Sequence, residues 1–388
     1  MTLHIHYVLF DESGEFVDRT RLDKALTGAT PSDIFVFSHG WKNNFTEANA
    51  LYTEVLAQMS LVADTQPGLR PGGFRPLCLG VIWPSKAWDD EDTTPQSVAE
   101  VLSPARASAE GFRHDALRVT GFLLQDRLDG QDAADFRALL RRHADRPTLP
   151  EDESVFEPEA PEGELEGVVP AGTSARDAFR SFTYWQMKKR AGVVGQAGVR
   201  AALRAVQEAF PGARVHLVGH SFGCKVMLAA VAGPGEPTPA PVQTLVLLQG
   251  AVSAEAMAER VPGTDSPGGY RAAVSAGRVD GPIVATFSRH DQACGRAYPL
   301  GSRVAGHVGE LEGFFDRYLA LGAVGPRELG AAQKPLLPMR HVGQPYGFDG
   351  PGVWGVDGGS PPGEFITGHS DIRTPQIAWL LWSAALRR

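Results

Sequence analysis

Short apolar runs, each bounded by turn residues, recur along the chain with helical patterns between them. The runs fall at 3–10 (LHIHYVLF), 33–39 (DIFVFSH), 77–84 (LCLGVIWP), 214–220 (RVHLVGH), 244–250 (TLVLLQG) and 282–288 (PIVATFS). They have the length and the β-branched or aromatic content of strands. Helical periodicity occupies 45–62, 196–210, 222–232, 310–322 and 374–387. Several runs are apolar at consecutive positions, which requires cover on both faces of those strands. Strands of this kind alternating with helices predict an α/β fold: a doubly wound, mostly parallel sheet with helices on both sides.

The rhythm breaks once, between Trp83 and Val215, where a single crossover helix would need far fewer residues. The sequence therefore predicts a core formed by 1–85 and 176–388 and an inserted helical cap over 86–175. Within the cap, a helix over 106–128 places Phe112, Ala116, Val119 and Leu123 on one stripe and Leu117, Leu124 and Leu128 on another. A shorter helix follows at 132–142. Residues 145–168 carry Asp145, Glu151, Asp152, Glu153, Glu157, Glu159, Glu162, Glu164 and Glu166 against Arg146 alone, which reads as an acidic flexible loop. That loop accounts for the formal net charge of -8 of the whole chain, so the remainder is near neutral.

An acidic balance is the wrong sign for binding nucleic acid or an anionic membrane, and neither is expected as a partner. No run approaches the ~18 apolar residues of a membrane helix, and MTLHIHYVLF lacks the regions of a signal peptide, so a cytoplasmic protein without an integral membrane segment is expected. Cys78, Cys224 and Cys294 show neither metal spacing nor a disulfide pattern and read as reduced, mostly buried thiols.

Chemistry enters at Gly219-His220-Ser221-Phe222-Gly223, a G-x-S-x-G pattern. With 44 glycines in 388 residues, a chance match somewhere in the chain is about a one-in-four event, so the flanks must decide. RVHLV before it reads as a strand, and CKVMLAAVA after it as a helix without a breaker. A strand-to-helix turn this sharp needs small residues on either side of the serine, and it would present Ser221 Oγ at the end of the strand. The alternative is a strand-turn-helix serine acting as an N-cap. Gly368-His369-Ser370-Asp371-Ile372 resembles the motif but lacks the closing glycine and a preceding strand. Ser38-His39-Gly40-Trp41 follows the run IFVF, where a second backbone donor would approach; the amides of Trp41 and Phe222 are the expected oxyanion donors. His39 is expected to stabilise the turn rather than to carry a proton.

A serine nucleophile needs a base and a group that orients the base. No acid follows the run ending at Leu248, whereas Arg289-His290-Asp291 follows PIVATFS, making Asp291 the best carboxylate; the alternative is a surface pair with Arg289. His290 is then a supporting or surface group. Of the later histidines, His307 lies too close to Asp291 for an intervening helix and strand. His341 is a candidate base, and His369 is the stronger one. It ends a loop in which residues 343–363 contain twelve Gly or Pro out of twenty-one, and it immediately precedes the terminal helix, which Asp371 is placed to cap.

FSHGWKNN (37–44), GVIWPS (80–85), LVGHSFG (217–223) and TGHSDI (367–372) together resemble the α/β-hydrolase superfamily, over 1–85 and about 176–388, and within it a bacterial group of uncharacterised serine esterases and lipases. The resemblance implies a triad of Ser221, Asp291 and His369 that works without metal or cofactor. It also implies that the insertion, between the fourth and fifth sheet strands, serves as a lid. Many lids of the family come after the sixth strand instead.

The expected substrate is a small-molecule ester or lipid, cleaved through an acyl-enzyme. Trp83, His39 and His220 are expected at the pocket, and Trp41, Phe222, Trp83 and Trp185 supply aromatic surface suited to an apolar acyl or aryl group. The 106–128 helix either covers the pocket or simply packs the insertion on the sheet. Lys188-Lys189-Arg190 is expected on a solvated helix face. Two alternatives stand beside hydrolysis: a noncatalytic binding module of the same fold, and acyl transfer to an alcohol or amine by the same triad.

Overall fold

A computed structural model describes residues 3–65, 73–86, 94–102, 109–125, 128, 130–143, 175–297 and 319–386. Strands β1 (Ile5–Leu9), β2 (Asp33–Ser38) and β3 (Pro76–Ile82) are separated by helices α1 (Arg19–Leu26) and α2 (Phe45–Thr65). Between β3 and β4 (Arg214–His220) come α3 (Pro95–Val101), α4 (Ala109–Leu123), α5 (Gly130–His143), α6 (Ala175–Val193) and α7 (Arg200–Ala209), the last two joined by a π-helical segment at Val194–Val199. β4 turns directly into α8 (Phe222–Ala232), after which come β5 (Thr244–Leu248), β6 (Pro282–Phe287), β7 (Leu337–Pro338), β8 (Gly352–Asp357) and α9 (Pro375–Leu386). The strands form a single eight-stranded sheet in the order β1-β3-β2-β4-β5-β6-β8-β7, with every neighbouring pair parallel.

The period of two along each strand divides the core between two faces. Ile34, Val36, Leu217, Leu245 and Leu247 face a cluster shared with α1, α3–α5, α6, α7 and α8. Phe35, Phe37, Val218, Val246 and Val284 face a second cluster built on α2 and α9. The carboxy-terminal helix is fixed there by Trp382, whose Nε1 donates to the Met59 carbonyl at 2.9 Å, and by Trp379 Nε1 to the Gln344 carbonyl at 2.7 Å. Each large apolar side chain so covered contributes about 1.5–3 kcal/mol relative to exposure.

All six expected strands are present, and the sheet is wholly rather than mostly parallel. The glycine- and proline-rich interval 343–363 is not a plain loop, because β8 lies inside it. Val353, Trp354 and Val356 are buried, the pattern of a strand covered on both faces. The described part of the cap contains α4 and α5, close to the two helices expected, and the insertion lies between the third and fourth strands of the chain, not the fourth and fifth.

Lys188 is 1% exposed and Arg190 Nη1 donates to the Pro84 carbonyl at 2.7 Å, so this run is not a solvated face. The reason is that α6 is sandwiched between α8 and the inserted helices. The acidic stretch 145–168, His307, most of the helix expected at 310–322 and the Trp185 side chain lie outside the described residues. Among the described residues no helix is long and apolar enough to cross a membrane, and the three cysteines are free and buried.

Candidate active site

The sheet order reverses at the pair β2 and β4. From β2 the chain winds toward β3, and from β4 it winds the other way toward β5, while β2 and β4 are themselves neighbours with Ser38 opposite Gly219. α2 leaves β2 on one face and α8 leaves β4 on the other. The carboxyl ends of β2 and β4 are therefore a topological switch point, the place where doubly wound sheets bind ligands, and Ser221 there is 7% exposed. The two motifs that the sequence singled out, Ser38-His39-Gly40-Trp41 and Gly219-His220-Ser221-Phe222-Gly223, both lie there.

Ser221 occupies the corner between β4 and α8 with φ 56° and ψ -124°, a conformation that costs a non-glycine residue on the order of 1–3 kcal/mol. Its neighbours explain how the corner is held. A Cβ on Gly219 would stand 2.5 Å from the Gly223 carbonyl oxygen, one on Gly223 would stand 2.2 Å from the Ser38 carbonyl oxygen, and one on Gly40 would stand 2.5 Å from Ser221 Cβ. All three clashes involve backbone or the serine itself, so none can be relieved by turning a flexible side chain. The Ser221 N–H donates to the Leu248 carbonyl at 3.1 Å, and its own carbonyl accepts from Cys224 and Ala251. Ser221 Oγ makes no hydrogen bond among the described residues.

The donors expected to face a developing oxyanion flank this corner. Neither the Trp41 N–H nor the Phe222 N–H has an acceptor among the described residues. Phe222 opens α8, whose N-terminus adds a partial positive charge. The loop carrying Trp41 is pinned from three directions. Asn43 Nδ2 donates to the Gly40 and Trp41 carbonyls at 3.1 and 2.9 Å, Ser85 accepts from the Lys42 and Asn43 amides, and Tyr52 Oη accepts from the His39 N–H at 2.8 Å. Asn43, Ser85 and Tyr52 were not singled out from sequence, although Asn43 stands in the HGWKNN stretch.

Asp291 and His369 are brought together: His369 Nδ1 donates to Asp291 Oδ2 at 2.8 Å. Asp291 is 1% exposed, while the His369 side chain is 22% exposed. Burial acts to raise the Asp291 carboxyl, but the bond and charge of His369, the Cys294 N–H at 2.9 Å and the Gln249 amide at 2.9 Å outweigh it and hold the group below the usual carboxylate value. The loop bearing the histidine is tied down by Ser288 Oγ, which donates to the Ile366 carbonyl at 2.7 Å, and by Asp371, which accepts from the Thr367 N–H and hydroxyl. Asp371 is thus occupied around His369, and the cap of α9 is Thr374, whose Oγ1 accepts from the Ile377 N–H at 3.3 Å. His341 is exposed and packs edge-on against Phe365. Arg289 and His290 pair with Glu364 rather than with Asp291.

Gln249 is the residue that sequence reasoning passed over. Its Nε2 donates to Asp291 Oδ2 and to the Gly322 carbonyl, its Oε1 accepts from Thr286 Oγ1, and its backbone φ is 46°. The available signal was a lone amide directly after four apolar strand residues, where its side chain can only be buried. Cys294 is the other unanticipated neighbour, with Sγ 3.8 Å from His369 Nδ1. Its thiol is raised well above the usual value by burial and by the Asp291 charge. Among the described residues, Asp291, Cys294 and His369 form the one group of potential metal ligands, with one donor atom of each within 4.8 Å of the others.

The three residues expected at the pocket divide. His39 and Trp83 are 0% and 1% exposed and stack on each other, ring centroids 5.6 Å apart. Trp83 Nε1 donates to the His39 carbonyl, and His39 Nδ1 lies 2.9 Å from the Gly40 carbonyl. Neither offers surface to a substrate, because each is spent on shaping the turn; burial pushes His39 down to about 4. His220 lies beside the site instead. Its Nε2 is 3.0 Å from the His369 carbonyl and the two rings are 5.0 Å apart. A carbonyl only accepts, so Nε2 carries the proton and Nδ1 is a bare acceptor, buried and without a partner. Burial first, then the nearby His369, pushes His220 down to about 3.

Comparison of the chain with family models, curated proteins and solved structures finds no match.

Proposed function

We propose that the chain is a serine hydrolase of the α/β-hydrolase kind that cleaves a carboxylic ester through an acyl-enzyme. The observation that carries this reading is the meeting of sequence-distant elements at one switch point: a strained Ser221 corner, two unspent amides beside it, and an Asp291–His369 pair joined at 2.8 Å whose histidine carbonyl lies 3.0 Å from Nε2 of His220, the residue before Ser221. A serine used only as a helix cap would need neither the positive φ nor a buried carboxylate aligning a half-open imidazole.

In the proposed reaction Ser221 Oγ attacks the ester carbonyl carbon while His369 Nε2 takes the hydroxyl proton. Asp291, accepting from Nδ1–H, keeps Nε2 unprotonated beforehand and stabilises the imidazolium that forms. The tetrahedral oxyanion accepts from the Trp41 and Phe222 amides, each worth about 10²-fold or more in rate. Collapse passes the Nε2 proton to the departing alcohol, and a water activated by the same histidine then releases the acid.

Tyr184, on the helix following the insertion, packs against Trp41 and Phe222 with ring centroids 5.7 and 5.2 Å apart. The segment 86–175, which precedes this helix, is read as a cap. Phe222 and Tyr184 are buried, so of these rings half-buried Trp41 is the one that offers apolar surface to an acyl or aryl group.

Turnover of a chain-length series of nitrophenyl esters tests the reading. Wild type is expected to be active, and Ser221→Ala and His369→Ala to lose about 10³-fold or more in kcat, whereas His341→Ala stays near wild type. Equal activity in wild type and Ser221→Ala would overturn it.

A further inference from the structure

We propose that Asp291 Oδ2, Cys294 Sγ and His369 Nδ1 form a binding site for a soft divalent cation of the Zn²⁺ or Cd²⁺ class, and that occupancy of this site disables the base. One donor atom of each residue lies within 4.8 Å of the other two. Nδ1 stands 2.8 Å from Oδ2 and 3.8 Å from Sγ. A tetrahedral zinc ion, with bonds of about 2.0–2.1 Å to N and O and about 2.3 Å to S, sets its N–O and N–S pairs about 3.3 and about 3.6 Å apart. The first pair must open by about 0.5 Å and the second close by about 0.2 Å to meet that geometry, shifts within reach of a side chain on a surface loop.

The donor set chooses the ion: nitrogen, thiolate and one carboxylate suit zinc and cadmium, not magnesium or calcium. The carboxylate is already held from outside by the Cys294 N–H on Oδ1 and the Gln249 amide on Oδ2, the kind of support that orients metal ligands. Asp291 and Cys294 are sealed, whereas the His369 side chain is 22% exposed, so the ion enters along the imidazole. Water completes the coordination.

Protons balance as follows. Neutral His369 holds one proton, on Nδ1. Coordination takes the Nδ1 lone pair, so that proton leaves and Nε2 becomes the protonated nitrogen. The Cys294 thiol ionises on binding, and one proton is released per ion. With Nε2 protonated, no lone pair is left for the Ser221 proton. This last consequence rests on the hydrolase reading; the site itself does not.

The test is equilibrium dialysis of Cd²⁺ with the full chain carrying Ser221→Ala, read by the ultraviolet thiolate-to-cadmium charge-transfer band. One Cd²⁺ per chain with the band is expected, with no competition from Mg²⁺. Adding Cys294→Ala or His369→Ala should weaken binding by more than about tenfold, since even outer-shell changes cost about 10–100-fold. Cys294→Ser, which keeps the packing and supplies a poor ligand for a soft ion, serves if the alanine variant unfolds. Unchanged affinity in the folded Cys294 variants overturns the site. In the protein with Ser221 intact, Zn²⁺ should slow fluorophosphonate labelling and a chelator should restore it; labelling unaffected by bound metal overturns its placement between Nδ1 and Oδ2. Cadmium binding as expected in a protein that never labels sinks the hydrolase reading and leaves the site standing.

Discussion

Ser221 holds its positive φ only because glycine stands at 219, 223 and 40, and the tightest of those contacts is a Gly223 Cβ at 2.2 Å from the Ser38 carbonyl oxygen. Gly223→Ala is therefore expected to destabilise by about 1–3 kcal/mol or more and to abolish activity, read from a urea midpoint and ester turnover; wild-type stability would contradict the geometry. His220 behaves in the opposite sense. Its Nδ1 is buried without a partner, a cost of about 1–3 kcal/mol, while its Nε2 holds the His369 carbonyl. His220→Phe should leave Tm unchanged or raise it while lowering kcat about tenfold at constant KM; a loss of stability with kcat intact would show that the ring serves the fold alone. Gln249→Met removes a donor to Asp291 and takes away the acceptor of the Thr286 O–H, so both kcat and Tm should fall, and an unchanged pair of values would deny Gln249 its place in the network. The serine, acid and histidine were legible because each is tied to a local pattern: a glycine-flanked serine after a strand, an acid after a strand, a histidine before a helix. Gln249 and Cys294 were not, since their importance lies in tertiary neighbours that no local spacing encodes.

At the scale of elements, β4 and α8 were readable to the residue because their signal is short-range, an apolar strand broken by a turn and an unbroken helical run. β8 was hidden by its own composition. Gly352 opens the strand with φ 132°, a backbone conformation that favours glycine, so a residue that looks like part of a loop belongs to the strand. α1 was missed because only Leu22 and Ala25 of its eight residues are buried; its clearest mark is the cap, where the Asp18 side chain accepts from the Thr20 N–H. α6 misled through its Lys188-Lys189-Arg190 run, since charge implies solvent only when nothing packs on that face. Among the inserted helices, α4 presents Val119 and Leu123 to the core, and both are fully buried. Val119→Asp should therefore detach this helix and unfold the cap, seen as protease cleavage within 109–143; resistance equal to wild type would contradict its packing against α3, α5 and α6.

For the whole molecule, a parallel sheet covered on both faces leaves polar groups stranded inside, and these set its response to acid. Burial pushes His39 down to about 4 and lowers His216, and Asp33, despite burial, is held low by His216, Ser32 and Arg214. All three bind protons more readily in the unfolded chain. The stability they confer is complete above the ordinary histidine value of 6.5 and drains as pH falls, the two histidines first and Asp33 below its ordinary 3.8. His39 alone accounts for about 3 kcal/mol of this dependence. Tm should drop steadily below pH 6.5 as His39, His216 and likewise His220 take up protons on unfolding; a flat profile from pH 7 to about 4.5 would contradict the buried, neutral imidazoles.

The switch point between β2 and β4 follows from strand order, and the catalytic proposal follows from what that order gathers there. Its most direct test is peptide mapping of the protein after brief exposure to a fluorophosphonate. A single phosphonyl adduct on Ser221 that forms in wild type and is nearly lost in His369→Ala is the predicted result. An adduct elsewhere, or one on Ser221 that forms as fast without the imidazole, would contradict the account.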